Sequence, residues 1–275
     1  MIDVELHERD VRTALGRIHV RIGGAENSTA LLFWPSLLMD GRMWSAQAAH
    51  FAGRHRVVLI DPPGHGGSSP LRAPFDFATC ARALVQVLDG LGIDRVHHVG
   101  NSWGAMIGVT FAARYPERVG ATVLMNGTAS PAGIRQKAEY RALLAAIRVA
   151  GFRGPLAGAA VDAFVGPTSK RQRPHVVDAV RASIRGLDVA SVAHAVRSIV
   201  PRRPDQRPLL KSITAPTLVV AGREDATFPV AETKQLADGI PDATFVVIED
   251  AAHLAALEVP ERVNALIETF LASVG

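Results

Sequence analysis

The sequence predicts an α/β fold: a mostly parallel central sheet with helices on both faces, interrupted by an inserted all-helical block. Three observations predict it. Over the first 130 residues, short apolar runs alternate with longer amphipathic stretches. The runs are continuously apolar, the pattern of strands buried on both faces by the helices that connect them. From about 131 to 212 no strand-like run appears, and beyond that block strands resume.

Leu31-Leu32-Phe33-Trp34 reads as a buried strand, Arg56-Val57-Val58-Leu59-Ile60-Asp61 as the second, Val96-His97-His98-Val99-Gly100 as the third and Ala121-Thr122-Val123-Leu124-Met125-Asn126 as the fourth. Helical spacing of Ala and Leu covers about 76–91, and a second helix covers about 103–115. The middle block carries Ala/Arg-rich amphipathic helices punctuated by Gly154-Pro155, Gly166-Pro167, Pro174, Pro201 and Pro204. Pro216 to Gly222 and Thr244 to Ile248 read as strands again, and about 260–273 as a final helix. Neither flanking half has enough strands to close a core alone, so the two must share one sheet. The expected division is a core formed by 1–130 and 213–275, with a helical unit at 131–212.

A chain of 275 residues can bury a sizeable core without disulfides or metals. Hydrophobic residues make up 48% and charged residues 20%, the balance of a globular protein in water. The single cysteine, Cys80, excludes an internal disulfide, and residues 1–15 lack the apolar stretch of a signal peptide. Both point to a cytoplasmic protein. No apolar run is long enough to span a bilayer. The net charge of +4 comes from scattered Lys and Arg, apart from clusters at 170–173 and at Arg202, Arg203 and Arg207. These read as solvated faces, so no nucleic-acid or membrane partner is expected. The oligomeric state is not readable from the sequence.

The chemistry is carried by Gly100-Asn101-Ser102-Trp103-Gly104, which follows the third strand and opens a helix. In that context G-x-S-x-G forces the serine into a strained turn, so its hydroxyl projects clear of the sheet. The helix N-terminus aims free N–H groups at the place where an oxyanion would form. A serine hydroxyl needs a base, and ten histidines compete for that role. His253 lies in a loop just after the last strand, whereas His97 and His98 lie within a strand. The C-terminal ends of parallel strands open on one rim, so Ser102 and His253 can meet there. The loop after the strand at 216–222 supplies Glu224 and Asp225 to the same rim. Asp225 is the choice to orient the imidazole, with Glu224 as a solvated neighbour.

These features resemble the α/β-hydrolase superfamily over essentially the whole chain. Asp61-Pro62-Pro63-Gly64-His65-Gly66-Gly67-Ser68 is similar to the D-x-x-G-x-G-x-S turn of that superfamily. Tyr115-Pro116-Glu117-Arg118-Val119 resembles the end of the helix after the elbow. Ala252-His253-Leu254, followed by Glu258, Pro260, Glu261, Arg262 and Val263, resembles the histidine loop. The resemblance implies the α/β-hydrolase fold, with 131–212 as a helical cap over the site. It also implies the chain order Ser, Asp, His. In many such enzymes the acid can follow the strand after the elbow, but that position here is Asn126.

One motif departs from the superfamily pattern. Pro35-Ser36-Leu37 stands where His-Gly-x is usual. Only a backbone N–H is required, so the amides of Leu37 and Trp103 are the expected oxyanion donors. The stretch Ser36-Leu37-x-x-Asp40-x-Arg42-Met43-Trp44 resembles the 3-oxoadipate enol-lactonase-like branch, which implies a small ester or lactone substrate. Expected substrate contacts are Ser36, Trp34, Met125 and Arg42, the last as a candidate for a substrate carboxylate. No cofactor and no metal are implied. The expected function is hydrolysis of a carboxylic ester or lactone through an acyl-enzyme. The alternatives are a meta-cleavage-type C–C hydrolase and a non-catalytic ligand sensor on the same fold.

Overall fold

A computed structural model describes residues 5–26, 28–151 and 154–274. Its centre is one eight-stranded sheet in the order β1-β2-β4-β3-β5-β6-β7-β8. The strands are β1 (His7–Thr13), β2 (Gly16–Gly24), β3 (Ala30–Trp34), β4 (Arg56–Ile60), β5 (Val96–Asn101), β6 (Val119–Met125), β7 (Thr217–Gly222) and β8 (Thr244–Ile248). β1 and β2 pair antiparallel, as do β2 and β4, while every pairing from β4 to β8 is parallel. The mostly parallel sheet predicted from the apolar runs is therefore present. β6 pairs with β7 from Thr122↔Thr217 to Met125↔Val220, so the two halves of the chain do share one sheet across the helical insertion.

Every residue of β3 is buried, and Val57 to Ile60 of β4 are at most 1% exposed. Burying each such aliphatic side chain contributes about 1.5–3 kcal/mol. The sheet is covered by α1 (Ser45–Phe51), α2 (Phe77–Gly90), α3 (Trp103–Arg114), α9 (Val230–Asp238) and α11 (Pro260–Val274). Asp76 caps α2 by accepting from the Thr79 amide at 2.6 Å, which fixes where that helix starts. The central helix α3 is buried from Trp103 to Ala112 and packs against β5 and β6. It therefore shows little amphipathic contrast, as an enclosed helix should.

Between β6 and β7 lie α4 (Ile134–Ala150), α5 (Pro155–Phe164), α6 (Pro167–Gln172), α7 (Pro174–Arg185) and α8 (Val189–Ile199). Among the described residues this insertion contains helices and no strand. Side chains of α8 fasten it to the core: Ser191 Oγ accepts from the Leu71 amide, and Ser198 Oγ accepts from the Phe75 amide, both at 2.8 Å. Among the described residues no helix is long and apolar enough to cross a membrane.

Five elements are absent from the sequence reading: β1, β2, α1, α9 and the short α10 (Ala255–Glu258). β1 (HERDVRT) is largely exposed and rich in charge, so it has no apolar run to find. β2 does carry a signal, since Ile18, Val20 and Ile22 alternate and all three are buried. The basic clusters resolve into local contacts. Lys170 pairs with Asp162, Arg173 with Asp250, and Arg207 with Asp205. Arg203 is turned inward and is only 4% exposed.

Candidate active site

Ser102 sits between β5 and α3 at φ 55° and ψ −105°, a conformation an L-residue holds only when its surroundings force it. Here the packing does so. A Cβ on Gly100 would lie 2.3 Å from the carbonyl carbon of Gly104, and one on Gly104 would lie 2.2 Å from the Trp34 oxygen. Only glycine fits at both positions, which is the physical content of the G-x-S-x-G spacing. Trp103 is the first residue of α3, so its amide has no intrahelical acceptor and is available to a ligand.

His253 follows β8 and is fully buried. Its Nδ1 lies 2.9 Å from Asp225 Oδ2, and its Nε2 has no hydrogen-bond partner. Ser102 and His253 line one cavity of about 120 Å³. A donated Nδ1 proton leaves Nε2 as a free acceptor on the side where a serine proton would be delivered. No hydrogen bond links Ser102 to His253 Nε2 in this structure, and catalytic pairs of this kind tighten as a substrate complex forms.

Asp225 accepts four hydrogen bonds. Oδ1 takes the amides of Thr227 and Phe228 at 2.8 and 3.0 Å. Oδ2 takes His253 and the Asn126 side-chain amide at 2.9 Å each. Asn126 also donates to the Ala252 oxygen at 3.0 Å, and Asn101 donates to the His253 oxygen at 2.9 Å. Two asparagines, one ending β5 and one just after β6, thus fasten the histidine loop and the acid. Neither was predicted to do so, although both occupy the sheet rim that the motif reading had already marked out.

Two carboxylates hold the histidine and acid loops from the other side. Glu258 Oε1 accepts the amides of Ala252 and Leu254, and its Oε2 accepts the Ser169 hydroxyl of α6 at 2.6 Å. Burial raises its pKa against the opposing pull of these donors. Glu224 is not a solvated neighbour: it accepts from the amide and the hydroxyl of Thr168 in α6. Phe164 of α5 stacks on the His253 ring with centroids 5.3 Å apart. Helices of the insertion therefore line part of the cavity and are tied to the same loops that carry Asp225 and His253.

The loop at 35–40 closes the cavity through Leu37 and Leu38. Leu38 takes a positive φ of 67° and donates its amide to His65 Nε2 at 3.2 Å. The other nitrogen of His65 faces the Pro63 oxygen at 3.1 Å, and the imidazole is fully enclosed. Burial pulls its pKa down to about 4, so it is neutral at pH 7 and its tautomer is fixed by the carbonyl. Asp61 anchors the same region by accepting from the Gly41 and Gly67 amides and from Arg21. The D-x-x-G-x-G-x-S turn is thus a brace for the loop that holds Leu37.

None of the four expected substrate contacts lines this cavity. Trp34 and Met125 are core residues at 1% and 0% exposure and do not line the cavity. Trp34 packs edge-on against Trp103 with centroids 5.7 Å apart. Ser36 is fully enclosed and also lies outside the lining. Arg42 has a side chain 69% exposed, is bound to Asp40, and faces a separate polar groove. The cavity is lined instead by residues that the sequence reading missed, among them Tyr140 and Ile147 of α4, Phe164, Arg203 and Phe228. A larger open groove of about 1030 Å³ lies between the β1–β2 turn and residues 69–79, and neither Ser102 nor His253 lines it.

Comparison with known proteins agrees with the fold. The alpha/beta hydrolase fold family matches residues 29–260. The 3-oxoadipate enol-lactonase 2 of Acinetobacter baylyi is 29% identical over 266 residues, covering 96% of this chain and 97% of that protein. The 2-hydroxy-6-oxononadienedioate/2-hydroxy-6-oxononatrienedioate hydrolase of Paraburkholderia phymatum is 34% identical over 267 residues, covering 93% and 91% respectively. A thermophilic esterase from Thermogutta terrifontis superposes with a TM-score of 0.89 at 28% identity, over 98% of this chain and 99% of that one.

Proposed function

Because this chain belongs to the alpha/beta hydrolase family, we propose that it hydrolyses a small carboxylic ester or lactone with Ser102 as nucleophile, His253 as general base and Asp225 as the group that orients it. The observation that carries the reading is the His253 arrangement: Nδ1 engaged by Asp225 and a buried, unpartnered Nε2 opening on the cavity that holds the strained Ser102. In the first step His253 takes the Ser102 proton as the oxygen attacks the carbonyl carbon. The amides of Leu37 and Trp103 receive the tetrahedral oxyanion, each worth about 3 kcal/mol of transition-state stabilisation. His253 then returns the proton to the leaving alkoxide, which departs as an alcohol or stays tethered if the substrate is a lactone. Water, activated by the same imidazole, releases the acid. The helical unit at 131–212 acts as the cap that excludes bulk water and shapes substrate choice.

The 34% identity to a C–C hydrolase supports a second reading in which the same three residues cleave a carbon–carbon bond. The absence of a glycine-rich sequence at Pro35-Ser36-Leu37 favours the first. Turnover of p-nitrophenyl acetate or butyrate by wild type and by Ser102→Ala tests the assignment: the variant should lose at least a thousandfold. Equal rates would reject Ser102. A panel of lactones set against ring-fission keto acids separates the two readings.

A further inference from the structure

We infer that Arg203 is a carboxylate receptor inside the Ser102 cavity, so that the substrate is an ester or lactone carrying a free carboxylate. This deepens the proposed hydrolase reading and rests on it for the words ester and lactone. Arg203 is 4% exposed and lines the cavity shared by Ser102 and His253. Among the described residues it is the one formally charged side chain in a lining otherwise made mainly of aliphatic and aromatic groups. Its Nε donates to the Ser130 oxygen at 2.7 Å, and its Nη2 donates to Gln136 Oε1 at 3.3 Å. Its guanidinium carbon lies 5.6 Å from the Phe228 ring centroid.

What it lacks is an anion. No carboxylate among the described residues comes within ion-pair distance of it. Glu232 acts on it only through space, and burial depresses its pKa. A guanidinium has five N–H donors, and the contacts above use two. An enclosed cation held without a counter-charge is costly, and such groups are normally paired. A ligand carboxylate would supply the pairing, with the planar fork suited to a bidentate contact. Gln136 and Tyr140 line the same cavity and bring an amide and a phenol to it. The role first expected of Arg42 falls to Arg203, because Arg42 is exposed and already neutralised by Asp40.

Whether the carboxylate belongs to the acyl part or to the leaving group is set by the experiment. Mono-p-nitrophenyl esters of C5 to C8 dicarboxylic acids carry it on the acyl side and are compared with neutral p-nitrophenyl esters of equal length. 4-Acyloxybenzoates carry it on the leaving group and are compared with the phenyl esters. Wild type should favour one anionic series at least tenfold in kcat/KM. Arg203→Met should bring that ratio to one or below, and Arg203→Lys should give an intermediate value. Preference for the neutral ester in both series overturns the inference, as does a fall in Arg203→Met that leaves the ratio intact. Calorimetry on Ser102→Ala separates this from the hydrolase reading. Adipate and suberate should bind it at least tenfold more tightly than they bind the Ser102→Ala/Arg203→Met double variant. If Ser102→Ala keeps wild-type turnover, the nucleophile is wrong, yet the dicarboxylate affinities still decide the receptor.

Discussion

The side-chain amide of Asn126 donates to Asp225 Oδ2 at 2.9 Å, sharing that oxygen with His253. The residue just after β6 thus holds the acid that follows β7, in a position where an acid itself would reach the same imidazole. Asp225→Asn would place an amide against Nδ1 and favour the wrong tautomer. It should lower kcat for p-nitrophenyl butyrate by about 10⁴. Asn126→Ala removes one of four donors to the carboxylate and should cost roughly tenfold. Equal losses for the two variants would show that Asn126 does more than position Asp225.

His65 fixes the loop of the expected oxyanion donor through the Leu38 amide. Leu38 is held at positive φ, which costs of order 1–3 kcal/mol, so the loop relaxes when its clamp is removed. His65→Ala should reduce kcat 10- to 100-fold with KM within about threefold, because an amide aimed at the oxyanion acts mainly in the transition state. A rise in KM at constant kcat would assign the loop to ground-state binding instead.

Two fully buried histidines, His65 and His98, weaken the fold at acid pH. Burial lowers His65 to about 4 and His98 to about 3. Their unfolded values lie near 6.5, so between that pH and the folded values the unfolded chain binds more protons. Stability is therefore full above about pH 6.5 and is lost as pH falls. At pH 5 each histidine should have removed about 2 kcal/mol relative to pH 8, read by urea unfolding. A flat profile across that range would contradict their enclosure as neutral rings.

The parallel strands were legible because strands covered on both faces leave continuous apolar runs, as in Leu31 to Trp34 and Val57 to Ile60. The hairpin of β1 and β2 was not, because His7 to Thr13 lies at an edge where charge is tolerated. Ser102 and its glycines were legible because close packing at Gly100 and Gly104 restricts those positions to one residue type. Substrate contacts were not. Trp34 and Met125 end the two strands that flank β5 and its elbow, yet their side chains are buried in the core, and a place on the sheet rim does not fix which way a side chain faces. Arg203 read as one of a basic cluster, and only its inward turn after α8 separates it from exposed Arg202.

The most direct measurement is covalent capture by a serine-directed p-nitrophenyl phosphonate, followed by peptide mass spectrometry. One equivalent of p-nitrophenol should be released, with the adduct on Ser102, and Ser102→Ala should neither release nor retain it. His253→Ala should slow the capture by several orders of magnitude while leaving the fold intact. Full labelling of a different serine, or esterase turnover that persists after Ser102 is fully modified, would contradict the account.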